Sequence, residues 1–152
     1  MNYSYINERY NTMERVRLVF ASIYLAVDLL YIFASKSTYE AATKSIQGHG
    51  FPKTTPSRVL GALIAYTGLV VGWYVFAAKL ATELARTYHP IVAGMLAGGF
   101  YGFVVYGVFN GTMHVMLDNW DVAISLRDTA WGVSWGAILT TLYITTVKAQ
   151  KK

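Results

Sequence analysis

The sequence predicts an all-α integral membrane protein, a bundle of four transmembrane helices with a short interfacial helix in the first loop. Four apolar runs carry that expectation: residues 18–34, 59–78, 91–109 and 130–147. A hydrocarbon core of roughly 30 Å takes about 20 apolar residues at 1.5 Å rise, and each run approaches or meets that length. The last three runs hold no Asp, Glu, Lys or Arg, and the first holds only Asp28. Hydrophobic residues make up 55% of the 152-residue chain, and a soluble chain of that length has no core able to hide four such helices on every face. The mean hydropathy of +0.36 points the same way. Residues 1–152 are expected to form a single membrane domain.

The elements follow in order. Residues 1–17 are polar and tyrosine-rich, with Arg9, Arg15 and Arg17 against Glu8 and Glu14. No apolar stretch with a small-residue cleavage site begins near Met1, so the first span is expected to stay as an anchor. Asn11 with Glu14 has the spacing of a capped helix start. Tyr3, Tyr5, Ile6 and Tyr10 ahead of it suit contact with headgroups or with a partner. After the first span, Ser37 and Glu40 again have capping-box spacing, and Gly48 and Gly50 are stop signals, which predicts a helix over 37–47. Tyr39, Ala42 and Ile46 share one face of it, opposite Lys44, as in a helix lying on the membrane surface. Pro52 and Pro56 break the chain before the second span, and Pro90 suits the first turn of the third. Asp118, Asn119, Trp120 and Asp121 read as a tight turn with an interfacial Trp.

Small residues repeat along three spans: Gly61, Ala65, Gly68 and Gly72 on the second, Gly94, Gly98 and Gly102 on the third, Gly132 and Gly136 on the fourth. Such spacing lets backbones approach closely and drives helix association in lipid. Packing within the bundle is the first reading, and a homo-oligomer through the third-span stripe is the second.

Polar residues inside the spans point to a site. Four crossings put both termini on one side, with Arg9, Arg15, Arg17, Lys79, Arg86, Lys148, Lys151 and Lys152. The opposite side holds Lys36, Lys44, Lys53, Arg58 and Arg127, so the positive-inside rule places the termini in the cytoplasm. On that topology Asp28 and Asn110 lie about 10 Å below the first-loop surface by helical rise. His114, Arg127 and Asp128 fall nearer the same surface, and Tyr31, Tyr106, Thr112 and Trp131 surround the group. A charge at mid-bilayer costs about 2.5–3.5 kcal/mol on insertion scales, so these residues are expected to face one another. Two carboxylates in one poorly solvated site resist being ionised together, the usual footing of a proton-linked path. The structural reading is a buried ion pair of Arg127 with Asp28 or Asp128 that fixes helix order.

The absence of cysteine excludes disulfides, thiolate metal sites and cysteine nucleophiles. His49 and His89 fall on opposite sides of the membrane, so no three-His metal site is expected. No nucleophile–base pair, phosphate-cradling loop or metalloprotease motif appears, which argues against an enzyme and against a cofactor. The net charge of +5 is spread thinly over tails and loops, so membrane orientation accounts for it and no nucleic acid is expected.

Tyr106-Gly107-Val108-Phe109-Asn110-Gly111-Thr112, then Trp120, then Asp128-Thr129-Ala130-Trp131-Gly132, resembles the signature of a small four-helix membrane family catalogued as domain of unknown function 2177. The similarity covers roughly residues 18–145. Bacterial members tend to read Tyr-Gly-x-Tyr-Asp-x-Thr-Asn, a Trp, then Asp-x-x-Trp-Gly, and carry an Asp near the end of helix one, which Asp28 and Tyr31 match. The resemblance also places relatives in large DNA viruses. Where the family has an Asp and an Asn in helix three, this chain has Asn110 and Met113, so one acid and one amide of the pattern are missing. The resemblance implies the four-helix fold and no activity. The functional expectation is a non-enzymatic structural or scaffold component of a viral membrane or multi-subunit membrane assembly. Its partners would be the bilayer and other proteins or copies, met through the glycine faces and the tyrosine-rich N-terminus. The alternative is a small proton- or solute-linked transporter or channel using Asp28 and Asp128.

Overall fold

The computed structural model describes residues 3–150, with side chains from Asn11 onward. Neither Gly nor Pro interrupts the first 34 residues, and the chain runs from near its start as one helix, α1 (Tyr3–Ala34). The helix start expected at Asn11 is therefore absent. Glu14 is engaged elsewhere, pairing with Arg17 at 3.1 Å and accepting from the Tyr74 hydroxyl. The contacts expected of Tyr3, Tyr5, Ile6 and Tyr10 lie outside the described side chains. A kink at Ser35 leads into α2 (Lys36–Gln47), which ends where Gly48 takes φ 80 and its N–H bonds the Lys44 carbonyl. Only glycine enters that left-handed conformation without strain, so the stop signal works as expected.

Pro56 opens α3 (Pro56–Gly72), which passes through a π-helical turn at Trp73–Ala77 into α4 (Ala78–Leu84). His89 caps the next helix, its ring nitrogen accepting from the Ile91 N–H at 3.4 Å, and Pro90 is the first residue of α5 (Pro90–Met116). The turn after it holds Asn119 at φ 64, and Asp121 accepts from the Ala123 N–H at 2.7 Å to start α6 (Val122–Ala149). The described residues contain no strand.

Among the described residues three helices are long and apolar enough to cross a membrane: Asn11–Ala34, Pro56–Leu84 and Pro90–Met116. The 28 residues of α6 are long enough by rise. Trp131, Trp135, Ser134, Thr140, Thr141, Thr145 and Thr146 make it less apolar than the other three. Large apolar side chains point outward around the bundle, Leu30, Phe33, Ile64, Phe76, Phe100 and Val108 among them. The interior is aromatic and small: Tyr24, Trp73 and Tyr143 are fully buried, with Ala77, Ala78, Ala81, Ala93 and Ala97 around them.

Helices α5 and α6 pack most closely. A Cβ on Gly98 would overlap the Gly136 carbonyl, one on Gly102 the Gly132 carbonyl, and one on Gly94 the Thr141 backbone. The third- and fourth-span glycines thus face each other, and the third-span stripe is filled by α6, which leaves no room there for a second copy. The second-span stripe behaves differently. Gly72 meets the Tyr101 ring, but a Cβ on Gly61 or Gly68 would meet nothing within 4 Å. Its spacing is right, yet no neighbouring helix closes on those two residues.

Candidate functional site: a carboxylate lattice at one end of the bundle

Asp28, seven residues before the kink at Ser35, is 3% exposed, and Asp128, in the second turn of α6, is 2% exposed. Two aromatic donors meet Asp28. The Tyr106 hydroxyl of α5 and the Trp131 indole N–H of α6, the latter at 3.1 Å, both donate to Asp28 Oδ1. Two phenols meet Asp128: Tyr31 of α1 donates at 2.5 Å and Tyr39 of α2 at 2.7 Å, both to Oδ1. Trp131 joins the halves by stacking on Tyr31, ring centroids 4.4 Å apart and planes 6° from parallel. Arg127 closes the outer edge, its guanidinium 5.9 Å over Tyr31 and 5.7 Å over Tyr39. Cation–π contacts of that reach contribute about 0.5–1 kcal/mol at exposed sites. Burial, and then the bond to Asp128, push the Tyr39 phenol well above its ordinary range, which keeps it a donor.

The five residues expected to share one site divide. Asp28 and Asp128 come together through the aromatic partners, and Tyr106 and Trp131, expected only to surround the cluster, hold Asp28 directly. Asn110 is buried at 2% exposure, but its amide donates to the Tyr106 carbonyl of its own helix at 3.0 Å and its side-chain oxygen has no hydrogen-bond partner among the described residues. His114 turns to Ser125 at 2.9 Å, which also accepts from the Trp120 indole. Thr112 is exposed, and no hydrogen bond among the described residues ties it to the lattice. The expected ion pair is loose: Arg127 approaches Asp128 at 3.9 Å, and no cation among the described residues pairs with Asp28. Aromatic donors take the place of the salt bridge because all four are half-buried where the helices meet, while the Arg127 side chain, 40% exposed, reaches the rim.

Sequence reasoning placed Tyr39 on the membrane surface and so missed its bond to Asp128. The signal was present, since Tyr39 and Ala42 do share one inward face of α2. A second polar cluster, at the opposite end, was missed altogether. Arg17 lies 5.1 Å over the Tyr74 ring and donates to the Tyr143 hydroxyl at 3.3 Å, and Glu14 accepts from Tyr74. Between the two ends the Trp73 indole donates to Thr140 at 2.9 Å in the buried core. Among the described residues no group of His, Asp and Glu could hold a metal ion.

Apolar helices of membrane length, an outward apolar surface and buried, hydrogen-bonded carboxylates define a helical membrane protein. The chain belongs to the family described as predicted membrane protein, domain of unknown function 2177, which matches it over residues 15–145. No curated protein and no solved structure matches the chain.

Proposed function

We propose that this is a non-enzymatic structural membrane protein, a scaffold within a membrane assembly, and that the carboxylate lattice is the pin holding its helices in order. The observation that carries the reading is the reach of the lattice: two carboxylates bind donors from α1, α2, α5 and α6. In a bilayer, interhelical bonds of this kind contribute about 0.6–2 kcal/mol each. Four of them at one end suffice to choose one helix arrangement over its alternatives.

The same reading makes α6 a fourth crossing. It meets α5 from Gly94 against Thr141 to Tyr106 against Gly132, an antiparallel register over about three turns. If α5 crosses, α6 is carried to the same depth. Four crossings put both termini on one side, and the eight-to-five excess of basic residues there favours the cytoplasm.

One observation favours the transport reading instead: no cation among the described residues pairs with Asp28, and Asp128 is its electrostatic neighbour. Substitution separates the two. In the pin, Asp28→Asn keeps an acceptor for Tyr106 and Trp131 and should retain most of the unfolding temperature in detergent. Asp28→Leu strands both donors, at about 1–3 kcal/mol each, and should lower it clearly. Loss of a pH-dependent flux in proteoliposomes on Asp28→Asn, with folding intact, would overturn the pin in favour of transport.

A further inference from the structure

We propose that the cleft between α3–α4 and α5 is a lipid site, taking one acyl chain of an anionic phospholipid with the headgroup phosphate on Lys79. No residue of the carboxylate lattice lines this cleft. The cleft has a volume of about 720 Å³ and is lined by Gly68, Phe76, Leu80, Phe100 and Val104, with Lys79 at one end. The π-helical turn supplies part of its wall through Phe76 and Ala77. A Cβ on Gly68 would meet nothing within 4 Å, so the missing side chain leaves room in the cleft. The Tyr101 hydroxyl, the polar atom nearest at hand, is spent on the Leu69 carbonyl at 2.6 Å, which leaves the wall apolar.

Length and charge identify the occupant. From Leu80 back to Gly68 the helix rises about 18 Å, slightly more than half of a core of roughly 30 Å, so the cleft spans one leaflet. An apolar wall of that length with one lysine at its end matches an acyl chain with an anionic headgroup. No ion pair among the described residues engages Lys79, and Glu83, one turn on, is held by Arg86 at 3.2 Å. Lys79 is exposed at the end where α4 leaves the span, the headgroup level of that leaflet. Arg86 and Lys148 lie at the same end, Lys148 bonding the Ala85 carbonyl at 2.9 Å. Basic residues at the membrane surface attract anionic lipid by about 1 kcal/mol each.

The test uses the full chain purified in detergent, with phosphatidylglycerol or phosphatidylcholine added back and the bound lipid counted by native mass spectrometry. One phosphatidylglycerol per chain is expected to be retained in preference to phosphatidylcholine. Lys79→Gln should lower that preference about fivefold, the equivalent of roughly 1 kcal/mol. Gly68→Leu, which fills the cleft, should abolish retention of both lipids, while Gly61→Leu, equally open but outside the cleft, should leave it unchanged. Equal retention of the two lipids by the unsubstituted chain would overturn the proposal. So would undiminished phosphatidylglycerol in both Lys79→Gln and Gly68→Leu.

Discussion

Tyr39 is the one aromatic donor of the four carried by α2 and the simplest to isolate. Its hydroxyl meets Asp128 at 2.7 Å from a helix that otherwise touches the bundle lightly. A hydrogen bond of this kind contributes about 0.5–1.5 kcal/mol net, and removing one partner of a buried acceptor costs about 1–3 kcal/mol. Tyr39→Phe should therefore cost about 1–2 kcal/mol and free α2, read as a lower unfolding temperature and faster amide exchange over Lys36–Gln47. The folded phenol titrates above its unfolded value of about 10. The donor form is therefore complete below about pH 10 and is lost only as pH rises through the folded value, so Tyr39 adds no pH dependence of its own near neutrality. A gap between Tyr39→Phe and the unsubstituted chain that closed between neutral pH and about pH 9 would contradict this bond. In the core, Thr140→Val keeps the shape but strands the Trp73 indole N–H and should cost about 1–3 kcal/mol.

Glycines of one spacing do opposite things on different helices, and substitution should show it with opposite signs. Gly98→Ala drives a methyl group into the Gly136 carbonyl, a backbone atom that can move only if α5 and α6 separate. Gly61→Ala meets open space, where alanine favours the helix by about 0.8–1 kcal/mol. The first should lower resistance to denaturing detergent and the second should preserve or raise it; a matching loss at both positions would contradict the packing described. Much at this scale was legible beforehand. The apolar runs, Pro90 at a helix start, Gly48 at a helix end and the α5–α6 glycines all follow from local rules. The helical run from Tyr3 to Tyr10 was not, because its polarity resembles a tail while nothing in it breaks a helix. Nor was the π-helical turn at Trp73–Ala77, which rests on a shift of backbone bonding that leaves no mark in residue type.

For the molecule as a whole, depth counting brought Asp28 and Asp128 to one site because helical rise is regular. It could not assign partners, since Tyr106 and Asn110 lie one turn apart on the same face of α5, and the axial offset between α1 and α5, which spacing along the chain does not encode, decides which of them reaches Asp28. The same limit applies to the crossing of α6, where Trp, Ser and Thr dilute the apolar signal although α5 fixes its register. Topology is therefore the decisive measurement. The chain has no cysteine, so single cysteines at exposed Ser45, Thr87, Asp118 and Gln150 can report sidedness without background. Ser45 and Asp118 lie at the end of the carboxylate lattice, and Thr87 lies between α4 and α5 at the other. With the excess of basic residues held in the cytoplasm, an impermeant thiol reagent should label Ser45→Cys and Asp118→Cys in intact cells. Thr87→Cys and Gln150→Cys should react only after permeabilisation. The inverse pattern would refute the orientation and spare the fold. Gln150→Cys reacting with Asp118→Cys rather than with Thr87→Cys would mean that α6 returns without crossing. The close packing of α5 on α6 argues against that outcome, because such a return would draw the Gly94, Gly98 and Gly102 face of α5 off its partner and into lipid.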